Sequence, residues 1–380
     1  MIPPIIFTRL APLIPTEVFD TYWRFAAERQ MIFFRRLEGA AFPWTQDAIL
    51  QRYKFTNAYR ASDRVSQYLI RNVIYRGDQS AEEVFFRILL FKIFNRIETW
   101  QLLESKFGEL RFSEYSFERY DTVLKDAMNA GRRIFSAAYI MPSGEGSFGY
   151  AKKHRNYLRL LEVMMADEVP IRITEMRSMR NVFELLRSYP LIGDFLAYQY
   201  AIDINYSQLT NFSEMEFVVP GPGARDGIRK CFQTLMQSPQ SEVKKANHRA
   251  PLLPGSRQET IYRQKLKLST NSALGGLTEA DIIRLMAERQ GEEFARLGLD
   301  YRSLWGRPLQ LIDCQNLFCE VGKYARLAHP EIRGISERRR VKQLYHPDSE
   351  PVQYWYPPKW GINHLILEGN KDSSCIAHKD

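Results

Sequence analysis

Three carboxylates between Leu186 and Lys230 are the side chains best placed to do chemistry: Asp203, Glu214 and Glu216. A positioned carboxylate can take or give a proton, or stabilise a cation as it forms. Asp203 shares a stripe with Gln199 and Tyr206, at four- and three-residue spacing on an otherwise apolar helix, so it reads equally as a buried acid satisfied by hydrogen bonds. Glu214 and Glu216 stand in a loop before Pro220-Gly221-Pro222-Gly223, a turn that opens another helix. Asp226, just inside that helix, suits its N-terminal end better than it suits a catalytic role. Upstream, Pro190 and Gly193 bracket a tight turn, and the backbone N–H groups opening the next helix could face a phosphate. Such an arrangement would grip DNA.

Two further polar stripes accompany the acids. Tyr53, Asn57, Arg60, Arg64, Gln67 and Arg71 recur at helical steps, with Phe55, Tyr59, Leu69 and Val73 on the other side, which predicts an amphipathic helix. Asp313, Asn316, Glu320 and Lys323 form a second such stripe beside Leu317, Val321 and Tyr324. Basic runs occur at Lys152, Lys153, His154 and Arg155 and at Arg338, Arg339, Arg340 and Lys342, each suited either to phosphates or to solvent. Some chemistries are excluded. No Gly-x4-Gly-Lys-Ser/Thr occurs, so these residues contain no P-loop kinase. His329-Pro330-Glu331 matches the first half of a zinc deaminase signature but no Pro-Cys-x-x-Cys follows, and the six histidines are dispersed, so no metal site and no cofactor are expected.

The elements that must position these groups read as helices. Apolar residues at helical spacing predict a helix over Thr16–Leu37, opened by Thr16 or Pro15, and strongly buried and ordinary helices over Ser80–Phe107 and Tyr115–Phe135. Thr278 is a plausible N-cap before Glu279-Ala280-Asp281. The expected organisation is an N-terminal helical subdomain over 1–145, a hairpin and catalytic region over 146–237, a polar, proline-broken linker over 238–276, a C-terminal helical part over 277–356 and a dispensable tail over 357–380. With 45% hydrophobic residues the 380-residue chain can build a sizeable core. Its net charge of +9 suits a polyanion, or simple solubility. Four scattered cysteines favour a reducing cytoplasm, and no membrane segment or leader is expected from a start interrupted by Pro3, Pro4 and Pro12.

Pro190-Leu191-Ile192-Gly193 with Phe195-Leu196-Ala197 resembles the hairpin of helix-hairpin-helix DNA glycosylases, departing from it at Leu191, where glycine commonly supplies positive φ. A closer resemblance is to the helical family of base-hypermodification proteins named for α-glutamyl/putrescinyl thymine pyrophosphorylases and the hydroxymethyluracil DNA kinase helical domain, a family that includes antiphage glycosylases. The residues that carry it are Arg52 to Asn57 with Tyr59-Arg60 and Asp63-Arg64, Ala138-Tyr139-Ile140, Phe195 to Gln199 with Asp203, Pro220 to Arg225, and Leu317 to Glu320 with Lys323-Tyr324.

The resemblance implies a mostly α, helix-hairpin-helix glycosylase-like fold, with two helical subdomains flanking a basic cleft. It implies a monofunctional N-glycosylase: those glycosylases carry an aspartate one helix and one loop past the hairpin, the region of Glu214 and Glu216. Glu216 is favoured because it immediately precedes the family-like block Phe217 to Gly223, with Asp203 and Glu214 as competitors. Tyr53, Asn57, Tyr59, Tyr139 and Gln199, with Glu320 and Lys323, are the expected base-pocket and flipping residues. Trp44 is a further stacking candidate. Arg52, Arg60, Arg64, Arg225, Lys152 and Lys153, with Gly193, Gly221 and Gly223, are the expected DNA contacts. The partner would be double-stranded DNA with modified bases, and the reaction would be excision of glucosylated 5-hydroxymethylcytosine from phage DNA as antiviral defence. The alternatives are a base-hypermodification enzyme acting on modified thymine, and a DNA-binding module without catalysis.

Overall fold

Thr16 begins the first long helix, Glu17–Leu37, by accepting a hydrogen bond from the Val18 N–H. Its acids Glu17 and Asp20 lie in the first turn and Arg35 and Arg36 in the last, matching the helix dipole at both ends. This helix belongs to the first of two compact units in the computed structural model, formed by Met1–Ala58 with Pro220–Ser349; the second comprises Tyr59–Val219 with Glu350–Asp380. The structure describes residue 6 and residues 13–137, 141–232, 277–347 and 353–366. The expected linker over 238–276 lies outside these, as does Tyr139. Among the described residues the protein is almost wholly helical, strand-like pairing being limited to isolated bridges such as Pro15 with Phe232 and Tyr53 with Leu344. None of its described helices is long and apolar enough to cross a membrane.

In the first unit, helix Pro222–Cys231 packs against helix Leu311–Ala328, and both meet Glu17–Leu37. A Cβ at Gly227 would lie 2.0 Å from the Phe318 carbonyl oxygen, and one at Gly223 would lie 2.4 Å from Cys319 Sγ. The glycines of this block therefore let two backbones approach, as close helix packing requires. Phe19, Tyr22 and Trp23 fill the centre, with the Tyr22 ring 4.8 Å from that of Phe318. Helix Glu279–Arg296 opens with a capping box in which Thr278 and Asp281 exchange side-chain and backbone bonds.

The second unit is built on Ala81–Phe94, a helix buried on nearly all sides. A single helix over Ser80–Phe107 is not what forms. Asn95 takes a left-handed conformation, φ 47°, and its N–H caps Phe91, so the chain turns before Ile97–Phe107. Asparagine tolerates that region because its short polar side chain bonds locally, here by accepting from Lys92. Likewise the helix expected over Tyr115–Phe135 runs only over Phe117–Asn129. Helices Met179–Arg187 and Asp194–Asn205 pack as neighbours across the Pro190–Gly193 turn. There Leu191 itself adopts φ 69°. Its side chain fills the space over Gly144, where a Cβ would come within 2.8 Å of Leu191 Cδ1, so packing holds a conformation that glycine would take freely. Residues 358–366, in the tail expected to be dispensable, are packed in this unit: the Lys359 ammonium donates to the carbonyls of Ser207 and Thr210, and Trp360 stacks on Tyr356.

Candidate functional site

The helix predicted across Tyr53–Arg71 is replaced by a short helix Ala48–Arg52, an extended segment, and further short helical pieces from Arg60 onward. Tertiary pairing overrides the periodicity: the Lys54 N–H bonds the Gln343 carbonyl, the Tyr345 N–H bonds Arg52, and the Thr56 N–H donates to the Glu320 carboxylate. The polar residues expected on one helix face consequently separate into two clusters, one in each unit.

In the second unit the centre is Asp203, fully buried on helix Asp194–Asn205. Its carboxylate is 2.8 Å from the Arg60 guanidinium and 3.0 Å from the Lys92 ammonium. Arg60, only 6% exposed, also donates to Gln199 Oε1 and the Tyr206 hydroxyl, both at 3.2 Å. The stripe Gln199–Asp203–Tyr206 is thus one side of a closed polar network. Desolvation is the strongest influence on Asp203 and pushes its pKa up, but Arg60 and Lys92 outweigh it and hold the carboxyl below its ordinary value of 3.8. Lys92 is the member that the sequence reading missed. The available signal was a lysine inside the apolar run Phe85–Phe94, since a charge on a helix buried all round must find a partner.

Glu216 lies elsewhere in this unit, where its two oxygens accept the Met179 and Arg180 N–H groups at 3.1 and 3.3 Å and so cap helix Met179–Arg187. Glu214 is buried. Gly193 is the N-cap of Asp194–Asn205, and Asp194 in its first turn pairs with Arg187 at 2.6 Å. Tyr59 is buried, Arg64 is exposed beside Glu98, Lys152 is exposed, and the Lys153 ammonium sits 4.5 Å over the Phe135 ring.

The first unit holds the other cluster. Glu320, buried on helix Leu311–Ala328, receives Lys323 and the Thr56 N–H. Arg29 donates to the Thr56 carbonyl and to Asn57 Oδ1, both at 2.9 Å. Asn57, Glu320 and Lys323 therefore do assemble, around the extended segment. Gly221 and Arg225 lie at the start of helix Pro222–Cys231, Arg225 exposed and Gly221 buried as its N-cap.

On the surface of the same unit, the pairing of 52–54 with 343–345 brings aromatic and basic residues together. Phe42, 49% exposed, lies against Trp44 at 5.3 Å and stacks with Tyr345 at 6.5 Å. Arg36 covers the Trp44 ring at 4.9 Å and Arg52 covers Tyr53 at 5.6 Å. Lys54, Arg338, Arg339, Arg340 and Lys342 are exposed on the same two chain segments. Cationic side chains interleaved with accessible rings suit phosphates and stacked bases.

Residues 16–334 match the family described as the 5-hmdU DNA kinase helical domain. The chain is similar to a 5-hmdU DNA kinase of Bacillus phage SP10, with 25% identity over 369 residues, covering 92% of this chain and 51% of that protein. It therefore spans about half the length of this relative. No solved structure matches. These findings support the base-hypermodification family and overturn the excision reading: the relative bears the name of a kinase, a transferase rather than a hydrolytic DNA glycosylase. Glucosylated 5-hydroxymethylcytosine as the excised base and antiviral defence as its purpose fall with it. The side chains expected to hydrolyse the glycosidic bond have structural employment, Glu216 as a helix cap and Asp203 as the counter-ion of two buried cations.

Proposed function

The chain belongs to the family of the 5-hmdU DNA kinase helical domain, and on that premise we propose that it is a DNA-engaging module of base hypermodification, acting on DNA in which the thymine methyl is replaced by a hydroxymethyl or larger group. The observation that carries this reading is a strip of exposed Phe42 and Arg52 with half-buried Trp44, Tyr53 and Tyr345, on the chain segments that also expose Arg338–Arg340 and Lys342. Phosphoryl transfer by a P-loop is not assigned to these residues, which lack the lysine-bearing phosphate loop. Their part is to bind the duplex and hold a modified base available. The helix pair Met179–Arg187 and Asp194–Asn205 supports a helix-hairpin-helix relationship, with Leu191 in the place of the usual glycine. A reducing, cytoplasmic setting accords with the free cysteines Cys231, Cys314 and Cys319.

The test is binding of the whole protein to duplexes containing thymine or 5-hydroxymethyluracil, followed by fluorescence anisotropy across a salt series. Tight binding at low salt, with preference for the modified duplex, is expected. Replacing Arg338, Arg339 and Arg340 together with alanine should flatten the salt dependence by about 0.9 in slope for each phosphate that these side chains neutralise. No binding at low salt, or an unchanged slope in the triple variant, rejects the assigned surface.

A further inference from the structure

His329, Glu17 and Glu331 converge in the first unit although Glu17 begins helix Glu17–Leu37 and the other two follow helix Leu311–Ala328. One donor atom from each lies within 4.8 Å of the others. His329 Nδ1 is 3.7 Å from a Glu17 carboxylate oxygen and 3.8 Å from one of Glu331. The opposite ring nitrogen, Nε2, is 2.7 Å from the Thr21 hydroxyl.

The Thr21 hydroxyl lies within hydrogen-bond distance of both His329 Nε2, at 2.7 Å, and the Glu17 carbonyl, at 3.2 Å. When it donates to the carbonyl it accepts from Nε2–H, the tautomer that leaves the Nδ1 lone pair towards the two carboxylates. Metal-binding histidines are commonly held this way, their second nitrogen donating to a neighbouring acceptor that sets tautomer and orientation. One imidazole nitrogen and two carboxylate oxygens form a donor set that suits zinc.

We propose that His329, Glu17 and Glu331 form a divalent-cation site, with zinc the fitting ion and Thr21 its positioning residue. The ion ties the opening turn of Glu17–Leu37 to the turn after Leu311–Ala328, elements joined here by no covalent link. Three protein donors leave a coordination position for water, and the two glutamates are exposed while the imidazole is largely covered. Glu17 and Thr21 also line an adjoining cavity with Asp20, Arg24 and Arg296, so the open side of the ion borders a pocket that carries both charge signs. The site is independent of the DNA surface proposed above.

The whole protein, stripped with chelator, is titrated with zinc chloride by calorimetry, and its thermal midpoint is followed in parallel. One ion per chain with micromolar or tighter affinity and a raised midpoint are expected. His329→Ala should abolish that event, and Glu331→Gln, an exposed change that leaves the fold intact, should weaken it at least tenfold. Thr21→Val should weaken it by about 10- to 100-fold, without removing a ligand. In cobalt-loaded protein the visible ligand-field bands should disappear in His329→Ala. Two outcomes overturn the proposal: no stoichiometric binding at millimolar free zinc, or binding that survives unchanged in Glu331→Gln.

Discussion

Arg52 and Arg60 are eight positions apart in one stretch of sequence and have opposite fates. Arg60, in the second unit, points inward and shares Asp203 with Lys92; Arg52, in the first unit, is exposed and lies over the Tyr53 ring. A guanidinium taken out of water loses several kcal/mol of solvation, which only a well-placed counter-ion returns. An exposed one has no such debt and remains available for a phosphate. Positive charge in this protein therefore includes an internal part that belongs to the fold and an exposed part, Arg52 with it, that stays in solvent.

The sharpest way to break this comparison is Asp203→Ala. It leaves Arg60 and Lys92 buried without their carboxylate and should cost about 3–5 kcal/mol of stability, read as a lowered urea midpoint. A loss under about 1 kcal/mol would mean that the two cations reach water. Acid probes the same cluster. Because the Asp203 pKa is depressed on folding, its contribution is fully present above the unfolded value near 3.8 and disappears as pH falls through the lower folded value. In Asp203→Asn that part of the acid limb should be missing from a plot of urea midpoint against pH. Next in size is Trp44→Ala, expected to weaken binding to single-stranded DNA by about 1–3 kcal/mol if a base stacks there; unchanged anisotropy curves would remove the ring from the surface. The smallest effect sharpens the contrast: Arg338→Ala, Arg339→Ala and Arg340→Ala should each change stability by no more than about 0.5 kcal/mol, so that any weakening of DNA binding is not a folding defect.

What is legible in the sequence follows from local chemistry. Thr16 and Thr278 announce their helices because an N-cap is decided within three residues. The Gln199–Asp203–Tyr206 stripe is visible as well, and so is the alternative that its acid is buried and satisfied. What fails is longer in range. Four- and three-residue spacing from Tyr53 suggests a helix, but the backbone there pairs with 343–345 and Glu320, partners that no local window contains. Gly223 reads as part of a turn near DNA, whereas a Cβ on it would strike Cys319, and one on Gly227 the Phe318 carbonyl, so both serve the packing of two helices. Glu216 is favoured by its place just before the block Phe217 to Gly223, and its use as the cap of Met179–Arg187 depends on a chain reversal that position alone does not reveal. The histidine that belongs with Glu17 is likewise separated from it by most of the chain.

Both units are discontinuous in sequence, each completed by residues past 219. On the ribosome, helix Glu17–Leu37 emerges early with an apolar face whose main partners, Pro222–Cys231 and Leu311–Ala328, are synthesised much later. The core of the first unit cannot close until those later segments have been released, so its folding waits on contacts between residues far apart in sequence. Truncation libraries should accordingly yield few soluble fragments, and joining Ala58 to Pro220 through a short linker is the more promising way to isolate the first unit.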